Sequence, residues 1–184
     1  MIIHDGTGTG SAAAVDKENR LLTRAVTISD LEHSAEEGLS FTVVSTYGAT
    51  SADEVISIRN TNADRKLAIN NIKLVAVDTG TEAVVWTLIE VTSGTAAGTT
   101  VTPLNMNLNS GVVAAATCFG GAAVTGSLAG NVIAYAVSNH DIESEIDLGG
   151  ALLLAENDEI AVTVTDTDNP TVYVTVTMHY EESE

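Results

Sequence analysis

Hydrophobic and polar residues alternate with a period of two along most of this chain, the pattern of strands that bury one face. Phe41, Val43 and Ser45 oppose Thr42, Val44 and Thr46. Val55, Ile56 and Ile58 form a second apolar run, which ends in the turn-rich stretch Asn60-Thr61-Asn62-Ala63-Asp64. Leu67 and Ile69, then Ile72, Leu74 and Ala76, give a third run whose phase slips by one at Asn70-Asn71. A β-bulge produces such a slip. Asp78-Thr79-Gly80-Thr81 predicts a hairpin turn into a strand over 83–91, with Val84, Trp86 and Leu88 on one face. Further strands are predicted over 132–137, over 142–148, at Ile160, Val162 and Val164, and from Val172 to Met178. Turns at Glu156-Asn157-Asp158 and Asp166-Thr167-Asp168-Asn169-Pro170 separate the last three.

The pattern is weaker elsewhere. Residues 1–20 read as an arm, because Gly6-Thr7-Gly8-Thr9-Gly10-Ser11 is too rich in glycine to hold a regular element alone. Leu22, Val26 and Ile28 alternate with Arg24 and Thr27 as a first strand. Ser29-Asp30-Leu31-Glu32 has capping-box spacing and predicts one short helical turn running to Glu37 and stopping at Gly38. Residues 92–130 mix Gly with Ala, Thr and Asn. They read as loops and edge strands at a subunit contact, with short strands near 99–108 and 112–119. Eight to ten strands without parallel βαβ alternation predict an all-β fold. The expected architecture is a jelly-roll-like β-sandwich over 29–184, preceded by an extended N-terminal arm and first strand over 1–28.

Composition sharpens this picture. The 184 residues are enough for one self-sufficient core, and aromatics make up only 4% of them, so that core is aliphatic. Cys118 is the one cysteine; it excludes an intrachain disulfide and reads as a small buried hydrophobe. The N-terminus lacks the basic and apolar regions of a signal peptide, so synthesis in a cytoplasm without recognisable export is expected. No apolar stretch approaches the ~20 residues of a membrane helix. The formal charge is −18, unevenly spread. All seven basic residues lie between Lys17 and Lys73, whereas residues 74–184 hold fifteen carboxylates and no Lys or Arg. That field repels phosphate and argues against nucleic-acid or anionic-membrane partners.

Candidate chemistry is sparse. His4, His33, His140 and His179 show no metal-ligand spacing and read as surface or internally satisfied side chains. Cys118 has no local base to activate it. The glycine run matches neither a phosphate loop nor a dinucleotide turn. Two acidic turns, 156–159 and 166–169, raise the question of calcium, but neither has EF-hand spacing, and Asn and Asp favour turns on their own account. Glu143, Glu145 and Asp147 fall on one strand face about 7 Å apart, spacing that suits a solvated face. The residues therefore predict no catalytic, cofactor-binding or metal site, and a non-enzymatic protein.

One resemblance gives direction. The Gly-rich opening is followed by Val15-Asp16, Asn19-Arg20-Leu21 and Thr23-Arg24-Ala25-Val26. An acidic segment with His33-Ser34-Ala35 and Gly38 comes next, then Ile56-Ser57-Ile58-Arg59-Asn60 with Asp64-Arg65 and Leu67. This order resembles capsid decoration, or cement, proteins of tailed bacteriophages. Glu156-Asn157-Asp158-Glu159-Ile160-Ala161-Val162 and the Val-rich final strand are similar to trimeric jelly-roll virion proteins. The resemblance is strongest over 1–75. It implies a homotrimer bound to the major capsid protein on the capsid exterior, stabilising the shell. The arm residues Lys17, Arg20 and Arg24 would then serve in docking. A tail, collar or fibre component contacting a receptor or glycan is the alternative, as is a cellular β-sandwich binding module.

Overall fold

The structure, a computed structural model, describes Ile2–His4, Ala12–Ala14 and residues 30–181 except 51, 79, 81 and 167. The predicted strand over 22–28 and the basic residues Lys17, Arg20 and Arg24 lie outside the described residues. Near the start, β1 (Ile2–His4) pairs antiparallel with β2 (Ala12–Ala14).

Helix α1 spans Asp30–Glu36. It ends as the sequence predicts, in a Schellman motif. The Leu39 N–H donates to the Ser34 carbonyl at 2.6 Å and the Gly38 N–H to that of Ala35 at 3.0 Å. Gly38 takes φ +76°, the left-handed conformation this cap requires.

Ten strands follow: β3 (Ser40–Gly48), β4 (Ala52–Asn60), β5 (Leu67–Val77), β6 (Val84–Ser93), β7 (Leu104–Asn105), β8 (Ala116–Val124), β9 (Ala129–Ser138), β10 (Ser144–Leu154), β11 (Glu159–Thr165) and β12 (Thr171–Tyr180). They form two five-stranded antiparallel sheets, β10-β5-β12-β3-β7 and β8-β4-β11-β6-β9. The pairs β3–β12, β4–β11, β5–β10 and β6–β9 are nested, outermost strand with outermost. This is the winding of a jelly roll. The short β7 and the longer β8 extend the two sheets on the side of β3 and β4.

One sequence expectation fails here. Residues 78–81 do not close a hairpin, because β5 and β6 belong to different sheets. A turn-forming dipeptide fixes that the chain reverses. It does not fix whether the next strand pairs beside the last or crosses to the opposite sheet. The bulge expected at Asn70-Asn71 is present. Thr177 pairs with Asn71 and Met178 with Ile69, so Asn70 is the extra residue.

The core fills the space between the sheets with the inward residues of both: Phe41, Val43, Ile56, Ile58, Ile72, Leu74, Trp86, Leu88, Val174 and Val176 among them. Phe41 meets Tyr180 edge-to-face at a centroid distance of 5.8 Å. The Trp86 Nε1–H donates to Ser138 Oγ at 3.1 Å, which satisfies the one polar atom of the indole. Ser45 links the sheets: its hydroxyl donates to the Val55 carbonyl and accepts from the Gly121 N–H, both at 2.8 Å.

The segment 92–130 has two tasks. It supplies β7 and β8, and its loops fold over the outer face of the second sheet. There Ala96, Val124 and Leu128 cover Ile89 and Ala161 in a second, smaller apolar cluster. Paired backbone hydrogen bonds between Ala97 and Thr125, both 2.9 Å, pin that cover.

Candidate functional site

Two regions stand out from the scaffold: a cluster of titratable side chains at one end and apolar surface along two edges.

The connections β3–β4, β5–β6, β9–β10 and β11–β12 gather at one end of the sandwich. The Ala49 N–H donates to the Pro170 carbonyl at 2.8 Å and the Asp141 N–H to the Ala76 carbonyl at 2.8 Å. Asp141 and Asn169 adopt positive φ, 62° and 53°, a conformation that Asp and Asn tolerate better than most residues. These tight reversals bring His140, which follows β9, against Asp166 and Asp168, which follow β11. His140 Nε2 lies 3.2 Å from Asp166 Oδ2 and 3.9 Å from Asp168 Oδ2. The side chains of His140 and Asp166 are only 4% and 1% exposed, and that of Asp168 is 34% exposed. The Asp168 N–H donates to Asp166 Oδ1 at 2.8 Å, which turns Oδ2 toward the imidazole. Among the described residues, neither His140 nitrogen nor Asp166 Oδ2 takes part in a directed hydrogen bond. The Asp168 carboxylate lies over Gly80, where a Cβ would overlap Oδ2.

The sequence treated the 166–169 turn as a calcium question and His140 as isolated. The structure joins the two. The other acidic turn is self-contained. Asp158 Oδ2 accepts from the Ala155 N–H at 2.9 Å and Asn157 sits at φ 69°. Glu159 is buried, hydrogen-bonded by the Ser57 hydroxyl and 3.9 Å from Arg59 Nε. Glu145 and Asp147 lie exposed on β10, as the alternation predicts, and Glu143 forms an exposed pair with Lys73 at 3.1 Å. Cys118 is fully buried on β8, and burial pushes its thiol up to about 12. A half-open groove of about 260 Å³ is lined by Leu152, Leu154 and Ile160 together with the carboxylates of Glu90, Asp158 and Glu159.

The apolar surface has two parts. Strand β9 pairs with β6 on one side and carries no further strand on the other among the described residues. Its sequence is uncharged, and Val132, Ile133, Tyr135 and Val137 are exposed, Tyr135 at 65%. On the opposite side, beside β7 and α1, Leu104, Met106, Leu108, Val112 and Val113 are exposed, Leu108 at 89%. This segment is ordered by its own amides. Asn105 Nδ2 donates to the Gly38 carbonyl at 2.7 Å and the Val112 carbonyl at 3.0 Å, and Asn107 Nδ2 to the Glu36 carbonyl at 3.2 Å. No helix among the described residues is long and apolar enough to cross a membrane.

No protein-family model, no curated protein and no solved structure matches this chain.

Proposed function

We propose that this protein is a structural virion subunit that assembles into a homotrimer and coats the outside of a phage capsid shell, contacting the major capsid protein. The observation that carries the reading is the pair of uncharged apolar edges on opposite sides of an otherwise strongly acidic sandwich. Long uncharged strand edges are normally blunted by charge, proline or a covering element; β9 carries neither charge nor proline, and among the described residues no strand pairs on its free side. A closed ring with rotational symmetry above two joins two different patches, one from each neighbour, and a lateral pair of this kind provides them. The preordered 104–113 segment reduces the entropy lost on association.

The capsid placement is supported by the resemblance over 1–75 and by the jelly-roll winding. In this reading Lys17, Arg20 and Arg24 supply the basic counterpart to an acidic shell surface, while the net charge of −15 over 74–184 faces solvent. The reading assigns no catalysis, nucleic acid or membrane to the protein. The burial of Cys118, which pushes its thiol up to about 12, argues against a nucleophilic role at neutral pH. A tail or fibre component reading a glycan would use aromatic surface, and Tyr135 and Tyr173 are exposed. They project from the outer faces of different sheets and form no common groove, which favours the coat.

The test is co-sedimentation of the full-length protein with undecorated shells. Saturable binding, lost on deleting residues 1–28 while the far-ultraviolet spectrum stays that of a β-sandwich, is expected. Folded protein that leaves the shells bare refutes the capsid role.

A further inference from the structure

We propose that His140, Asp166 and Asp168 form a binding site for a divalent first-row transition ion, best matched by Zn²⁺, which ties the β9–β10 connection to the β11–β12 connection. The inference is independent of the coat reading.

The donor set comes first. One imidazole nitrogen and two carboxylate oxygens all lie within 4.8 Å of one another. Zn–N and Zn–O bonds of about 2.0–2.2 Å in a tetrahedron place neighbouring ligand atoms roughly 3.3–3.5 Å apart. The separations of 3.2 and 3.9 Å from His140 Nε2 bracket that value. Calcium takes six to eight oxygens, a demand this pair of carboxylates does not approach, and imidazole favours zinc and its neighbours.

Burial is the second and independent observation. His140 and Asp166 are almost completely withdrawn from water, yet His140 Nδ1 and Nε2 and Asp166 Oδ2 make no directed hydrogen bond among the described residues. Buried polar atoms are rarely left so. Nε2 stands close to Asp166 Oδ2 without being aimed at it as a donor, and the second carboxylate approaches the same nitrogen. An ion between the three atoms accounts for both facts: its charge holds the two carboxylates together, and it takes the nitrogen's lone pair. Three protein donors leave a fourth position for water or for a neighbouring subunit.

The consequence is mechanical. The site joins loops that follow β9 and β11, so ion binding would staple one end of the sandwich. Gly80 contributes by being small: a methyl group there would push the Asp168 carboxylate out of the cluster.

Calorimetric titration of the metal-stripped full-length protein with Zn²⁺, Mn²⁺ and Ca²⁺ in turn tests this, with the melting temperature read in parallel. One Zn²⁺ per chain is expected to bind, to raise the melting temperature, and to bind more tightly than Ca²⁺. His140→Gln, Asp168→Asn and Gly80→Ala should each weaken the Zn²⁺ site by about tenfold or more. Asp168 is partly exposed, so Asp168→Asn keeps the fold and decides the matter if His140→Gln does not fold. Zn²⁺ affinity unchanged in Asp168→Asn and Gly80→Ala, a preference for Ca²⁺, or no saturable binding overturns the proposal.

Discussion

Cys118 has none of its surface exposed, and burial alone raises its thiol from the ordinary 9.0 to about 12. Tyr180, against Phe41, is raised from 10.0 to about 12, again chiefly by burial. Both groups hold their protons in the folded state at a pH where the unfolded chain has lost them. Stability is therefore full below about pH 9 and falls as pH rises through the interval up to about 12, with Cys118 contributing up to about 1.4 kcal/mol per pH unit. Urea midpoints measured at pH 8, 9 and 10 should decline, and Cys118→Ala should flatten the decline. An equal slope in the variant would remove Cys118 as its source. Trp86→Phe deletes the donor to Ser138 and is expected to lower unfolding free energy by about 1–3 kcal/mol in the same assay. The buried character of Trp86 was legible from its place in an alternating strand, and that of Cys118 from its being the one cysteine of the sequence. The partners of His140 were not, since they lie twenty-six and twenty-eight residues further on, in a loop that only the strand crossing brings near.

Among the elements, the legible ones bury one face. Strands β3 and β12 follow the alternation of Val, Phe and Thr closely, and the bulge at Asn70 shows as a phase slip because every later side chain changes face. The short helix was legible from the spacing of Ser29 to Glu32 in the sequence; Ser29 itself lies outside the described residues. Its stop depends on Gly38, where φ +76° penalises any side chain and a Cβ would overlap Ser110 Oγ. Gly38→Ala should cost about 1–2 kcal/mol or more in a denaturant titration. A neutral outcome would mean the cap is not needed. Sheet membership was not legible, because a reversal of direction looks the same whether the chain stays in one sheet or crosses to the other. The middle segment was hard to read for a different reason. Its strand β8 pairs at an edge with partly exposed residues, and its loops bury Ala96 and Leu128 against the outside of a sheet rather than in the main core. Neither arrangement produces a period of two.

At the scale of the whole molecule, charge and apolar surface are separated. A chain of formal charge −18 keeps its β9 edge and its 104–113 segment free of charge, on opposite sides. Self-association through these surfaces is the central claim, and sedimentation equilibrium of the full-length protein at moderate salt tests it most directly. The expected mass is about three times the 19.0 kDa of one chain. Tyr135→Lys, at a position exposed in the single chain, should reduce the mass to that of one chain while leaving the fold intact. A wild-type protein that sediments as one chain at every concentration, or a Tyr135→Lys variant of unchanged mass, would contradict the assembly proposed here.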